Sequence, residues 1–75
     1  MERYKNLGGN SDVAGYEYGD DFIRVQFKDT SVYLYTYSSA GVQNVEHMKL
    51  LADSGRGLNS FINTNVRKMY QAKER

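Results

Sequence analysis

The chain has 75 residues, no cysteine, one histidine and a formal net charge of +1. That is one domain near the lower size limit for folding without a staple, and its composition excludes a disulfide framework, a thiolate nucleophile and a cysteine-type zinc site. His47 alone cannot hold a metal without several carboxylates converging on it, so no metal or cofactor is expected, and near-neutral charge names no partner by itself.

Charge is unevenly spread. Residues 1–38 carry four basic and six acidic side chains and residues 39–75 six basic and three acidic, a net −2 against +3. No apolar run approaches the roughly 20 residues of a membrane-spanning helix, and Met1-Glu2-Arg3-Tyr4-Lys5 has no apolar signal-peptide core behind it. The expectation is a soluble cytoplasmic protein with no membrane partner.

Residues 1–10, closing on Leu7-Gly8-Gly9-Asn10, form a polar lead expected to be flexible unless Tyr4 or Leu7 is held by packing. The domain proper is expected over residues 11–72, with 73–75 as a basic C-terminal tail. Val13–Tyr18 has weak strand composition and runs into Gly19-Asp20-Asp21, a turn. Phe22–Phe27 and Val32–Tyr37 carry the β-branched and aromatic types that suit a pleated surface, and they fold back on each other across Lys28-Asp29-Thr30-Ser31. A lone hairpin is marginal in water, so the three strands are expected as an antiparallel meander.

Two registers fit this hairpin. A two-residue turn at Asp29-Thr30 places Phe27 opposite Val32 and leaves Tyr33, Tyr35 and Tyr37 together on the face away from the core. A three-residue loop with a bulge reverses the parity, sends Tyr33 and Tyr35 over the core with Ile23, Val25 and Phe27, and leaves Leu34 outside. Neither Asp29 nor Thr30 takes positive φ as glycine does, which favours the bulged form.

Ser38-Ser39-Ala40-Gly41 breaks the strand pattern, and Ser38, Ser39 or Asn44 could cap the helix that follows. Val42, Val45, Met48, Leu51 and Ala52 recur at helical spacing, Leu50 falls off the stripe, and Gly55 offers a left-handed cap. A second helix is expected over Leu58–Ala72, with Leu58, Phe61, Ile62, Val66 and Met69 on one face, Tyr70 at its edge and Asn65 in its middle. The predicted class is therefore α+β, a three-stranded antiparallel meander followed by two helices on one face.

No catalytic constellation emerges. Asp20 and Asp21 are adjacent and point apart, unlike a paired acid and base, and His47 has no nucleophile near it in sequence. Binding is better served. Ser54-Gly55-Arg56-Gly57-Leu58-Asn59-Ser60 joins two glycines, a guanidinium and a helix start, a combination that favours phosphate, with Arg67 and Lys68 as further cations. The same residues also serve a plain sharp connection between helices, with Asn59 as cap. Ser60, Asn63, Thr64, Arg67 and Gln71 share a polar helix face of types that contact phosphates and base edges. Tyr33, Tyr35 and Tyr37 would form an aromatic stacking face for single-stranded RNA or other nucleic acid if exposed. The other reading is a protein-interaction or homo-oligomer module with contacts at Leu34 or Phe22 or along a strand edge.

Ser11 and Val13 before Tyr16, Phe22-Ile23-Arg24-Val25-Gln26-Phe27, Val32-Tyr33-Leu34-Tyr35 and Ser54-Gly55-Arg56-Gly57-Leu58-Asn59-Ser60-Phe61-Ile62 together resemble the KTSC domain. This small domain is named for the C-terminus of some lysyl-tRNA synthetases and also stands alone in small bacterial and phage-associated proteins. The likeness covers roughly residues 11 to 70. The chain departs from it where the family often has Gly in the central turn (Thr30 or Ser31 here), a polar residue between the tyrosines (Leu34) and Val-Pro before the first helix (Ser38-Ser39). The resemblance implies inward-facing Tyr33 and Tyr35 and no established activity; RNA binding is suggested by its synthetase context.

Overall fold

The hairpin of β-branched and aromatic residues sets the frame on which everything else is laid. In the computed structural model, which describes Met1 to Arg75, strands β3 (Phe22–Phe27) and β4 (Val32–Thr36) pair antiparallel with Ile23 opposite Tyr35 and Val25 opposite Tyr33. The Thr30 amide donates to the Phe27 carbonyl and the Phe27 amide to the Ser31 carbonyl, closing a three-residue loop with Thr30 in the left-handed region at φ 73°. This is the bulged register. Asp29 Oδ1 accepts from the Ser31 amide at 3.0 Å and its hydroxyl at 2.6 Å. Those bonds hold the Asp29 carboxyl below its usual range and fix a turn that lacks glycine.

Parity follows from the register. Ile23, Val25 and Tyr35 are buried under the helices, whereas Phe22, Arg24 and Leu34 fall on the other face of the sheet. Strand β2 (Val13–Gly19) pairs with β3 through a bulge between Val13 and Gly15, completing the expected meander.

The sheet has five strands, in the order β1-β2-β3-β4-β5, where three were expected. Strand β1 (Glu2–Arg3) lies along β2, and Tyr4, only 4% exposed, joins the core behind it. The Tyr4 hydroxyl accepts the Leu58 amide at 3.3 Å, and the Leu7 amide donates to the Gly55 carbonyl at 2.7 Å. The lead is thus held by packing at Tyr4 and by a backbone bond at Leu7, whose side chain stays exposed. At the opposite edge, β5 (Ala72–Lys73) lies along β4. The Gln71 and Glu74 amides donate to the Leu34 and Val32 carbonyls, and the Glu74 carboxylate holds Arg24 at 2.8 Å. Residues 72–75 are neither the end of a helix nor a free tail, because the open edge of β4 leaves backbone groups that need partners.

Helix α1 (Tyr37–Ala40) is capped by Thr36, not by a serine: Thr36 Oγ1 accepts the Ser39 amide while Ser39 Oγ accepts the Thr36 amide. Helix α2 (Val42–Ser54) buries Val45, Met48 and Ala52 and leaves Leu50 68% exposed. Asn44 bonds the Ala40 carbonyl instead of capping. The last helix is shorter than its pattern. After α3 (Leu58–Phe61) the chain widens into a π-helical stretch, Ile62–Val66, and leaves the helix there. More residues per turn keep Leu58, Ile62 and Val66, each four apart, on one buried line and turn Asn65 outwards. The Asn-Thr-Asn content is poor helix-forming sequence. Side chains mend it locally, with Thr64 Oγ1 donating to the Ser60 carbonyl at 2.9 Å and Asn65 Nδ2 to the Phe61 carbonyl at 3.3 Å. No helix is long and apolar enough to cross a membrane.

Candidate functional site

The glycine loop between α2 and α3 does two separable things. Gly55, at φ 74°, closes α2: its amide donates to the Leu51 and Ala52 carbonyls, and the Arg56 amide also reaches Leu51. With the Leu58 amide on the Tyr4 hydroxyl, three of the four amides expected to face an anion are already used. The expected amide cradle at Gly55–Leu58 is therefore corrected to a helix cap, because the orphan carbonyls of α2 take the Gly55 and Arg56 amides and the Tyr4 hydroxyl takes that of Leu58. Gly55 has a second duty. A Cβ there would stand 2.6 Å from Lys5 Cβ, so the glycine also lets the lead pack across the cap.

Beyond that cap the chain forms a cleft of about 350 Å³. One wall is the lead, through Asn6, Asn10 and Ser11, folded on itself by the Ser11 amide donating to Asn6 Oδ1 at 3.1 Å and the Gly9 amide to the Asn6 carbonyl at 3.0 Å. The other wall is Asn59, Ser60, Asn63 and Thr64 of α3 and the π stretch, with Arg56 and Gly57 at its end. Arg56 is the one charged side chain lining the cleft, and it makes no ion pair. The amides of Gly57, Asn59 and Ser60 have no acceptor within the chain.

Arg67 and Lys68 do not join Arg56. They border a different pocket, of about 330 Å³, shared with Phe27, Tyr33, Tyr35 and Tyr70. Of the six candidate anion-binding residues, Arg56, Gly57 and Asn59 line the cleft, Arg67 and Lys68 the second pocket and Gly55 neither, because the π turn carries Arg67 and Lys68 round the helix axis and the chain then returns to β4. Tyr33, Tyr35 and Tyr37 do not form an exposed stacking face. Tyr35 is 1% exposed, Tyr33 packs against the core from the same side of the sheet, and Tyr37 sits in α1. The bulged register removes that face.

Tyr37 belongs to a third cluster that ties the sheet to α2. Its hydroxyl donates to Glu46 Oε2 at 2.6 Å, Lys49 pairs with the same oxygen at 2.7 Å, and the Tyr16 and Tyr18 hydroxyls donate to the two oxygens of Asp53 at 2.9 and 2.6 Å. Burial, then the bond to Asp53, pushes the Tyr16 hydroxyl up to about 12, and the Glu46 bond pushes Tyr37 up to about 12. Lys49 and Tyr37 together hold Glu46 below its usual range. Its bonding groups are directed at one another, which makes it a brace. His47 lies against the Phe61 ring at 4.7 Å between centroids, and no three His, Asp or Glu side chains lie together so as to hold a metal ion.

Compared with protein-family models, curated proteins and solved structures, the chain matches none. The likeness to the KTSC domain therefore rests on the residues quoted for it. Sequence reasoning reached Arg56, Asn59 and the Ser60-Asn63-Thr64 face of the cleft, but not its opposite wall. The only hint of that wall was the density of Asn, Ser and Gly between residues 6 and 11.

Proposed function

We propose that the protein is a small nucleic-acid-binding module that takes a phosphate of single-stranded RNA in the cleft at Arg56, and that it is a relative of the KTSC domain. The observation that supports this is the make-up of the cleft: one unpaired guanidinium, no carboxylate, and two facing walls of Asn, Ser and Thr. Phosphate and sugar oxygens are contacted by these side-chain types, and Arg meets phosphate with two parallel N–H donors. Net charge reinforces the local picture, since the half of the chain that carries Arg56 is the basic half.

Fluorescence anisotropy with a short unstructured RNA, at low and moderate salt, tests the reading. Affinity is expected to fall steeply as salt rises, and Arg56→Ala is expected to weaken binding and flatten the log–log salt slope by about 0.7, one single-strand phosphate contact. A flat titration of the unaltered protein at low salt would end it.

A further inference from the structure

The pocket that gathers Arg67 and Lys68 carries more than charge. Its aromatic side chains meet edge to face: Phe27 against Tyr33 at 5.6 Å and Tyr33 against Tyr70 at 4.8 Å between centroids, with Tyr35 and Tyr70 at 6.5 Å. Tyr35 is the telling residue. Its side chain is buried, it lines the pocket, and its hydroxyl makes no hydrogen bond to any group of the protein. Every other buried tyrosine has a partner for that atom: Tyr4 takes the Leu58 amide and Tyr16 binds Asp53. No side-chain oxygen or nitrogen of the protein is both buried and unbonded, so the Tyr35 hydroxyl, which has no partner, keeps an opening to the pocket that Tyr35 lines, where a ligand atom can meet it.

Three cations stand at the rim. Arg67 and Lys68 line the pocket, Lys73 Nζ lies 5.9 Å from the centre of the Tyr33 ring, and none of the three makes an ion pair. No carboxylate lines the pocket; the acid that faces Lys73 is Asp29, whose Oδ1 is bonded to Ser31. The volume, about 330 Å³, lies at the lower end of the roughly 300–1,000 Å³ of small-ligand sites.

We infer that this pocket is a second binding site, for a planar heteroaromatic ring bearing a phosphate, the nucleotide class. The ring packs against Tyr33 and Tyr70, its polar edge takes the Tyr35 hydroxyl, and the phosphate meets Arg67 and Lys68. The inference extends the nucleic-acid reading, but it stands on residues that the Arg56 cleft does not share.

Two-dimensional amide NMR with adenosine monophosphate, set against ribose 5-phosphate and inorganic phosphate at the same millimolar concentrations, tests it. The nucleotide is expected to shift Phe27, Tyr33, Tyr35 and Tyr70 saturably, and the two controls to leave them in place. Tyr35→Phe keeps the ring and the packing and is expected to weaken binding about 3- to 10-fold, one hydrogen bond. Arg67→Ala with Lys68→Ala should weaken it and remove most of its salt dependence, whereas Arg56→Ala should leave it unchanged. Equal shifts with ribose 5-phosphate, or equal affinity in Tyr35→Phe, would overturn the site. Shifts confined to Arg56 and residues 59–64 would also overturn it while leaving the first cleft standing, and loss of RNA binding in Arg56→Ala with nucleotide shifts intact would separate the two the other way.

Discussion

Thr30 and Gly55 both hold left-handed backbone at turning points of the chain, and they differ in what they cost. Thr30 is β-branched at φ 73°, a conformation its Cβ resists, and only the Asp29–Ser31 bonds and the bulge hold it there. Replacing it by glycine removes that strain at some entropic cost, so Thr30→Gly is expected to raise stability by about 1 kcal/mol in urea unfolding. Gly55 is the reverse case. Its φ of 74° and its approach to Lys5 forbid a side chain, so Gly55→Ala is expected to cost at least about 1–2 kcal/mol in the same measurement. A Gly55→Ala protein of unaltered stability would show that the lead does not pack across the cap. Both positions were readable in part: Gly55 as a helix cap, and Thr30 as a place where a glycine was wanting. Its contact with Lys5 was not, since residues fifty apart carry no mark of each other.

Among the elements, those with a periodicity of their own were legible and those that exist by leaning on a neighbour were not. The three central strands and α2 were anticipated because alternation and the Val45-Met48-Ala52 stripe are properties of the segment itself. Strands β1 and β5, two residues each, have too little sequence to show a period; they form because β2 and β4 present backbone groups that must be paired. The apolar pattern over Leu58–Ala72 suggested one helix, yet Met69 and Tyr70 lie beyond it, partly exposed, on the way back to the sheet. Sheet pairing there outweighed helix continuation, which Asn63, Thr64 and Asn65 had already weakened. Ending the chain at Gln71 should therefore open the edge of β4 and remove Glu74 from Arg24. Lower stability and concentration-dependent association by light scattering are expected, and a truncated protein that stays monomeric and equally stable would show β5 to be ornamental.

Across the whole molecule, the tyrosines bind sheet to helices and set its response to alkali. The hydroxyls of Tyr16, Tyr35 and Tyr37 are each raised to about 12 from an ordinary 10.0, Tyr16 and Tyr35 first by burial and Tyr37 first by its bond to Glu46. A group whose folded value is raised contributes stability that is complete below the unfolded value and lost as pH climbs through the folded one. Stability is thus expected to be flat through neutrality and to fall between about pH 10 and 12. Tyrosinate absorbance followed alongside circular dichroism should show these side chains ionising late and together with unfolding; full ionisation near pH 10 with the fold intact would contradict it. Glu46 works on the acid side, where its lowered value means that its contribution is lost as pH falls below the ordinary glutamate range. By itself the sequence determined the α+β class, the three central strands, the α2 stripe and its glycine end, because each is written in neighbours along the chain. It only favoured the bulged hairpin, which the pairing of β3 with β4 decided. Only the tertiary structure decided that the lead faces α3 to make the Arg56 cleft, and that Arg67 and Lys68 join the tyrosines instead. Those groupings come from sheet edges and buried rings finding partners far away in sequence, and no local pattern encodes where the chain will return.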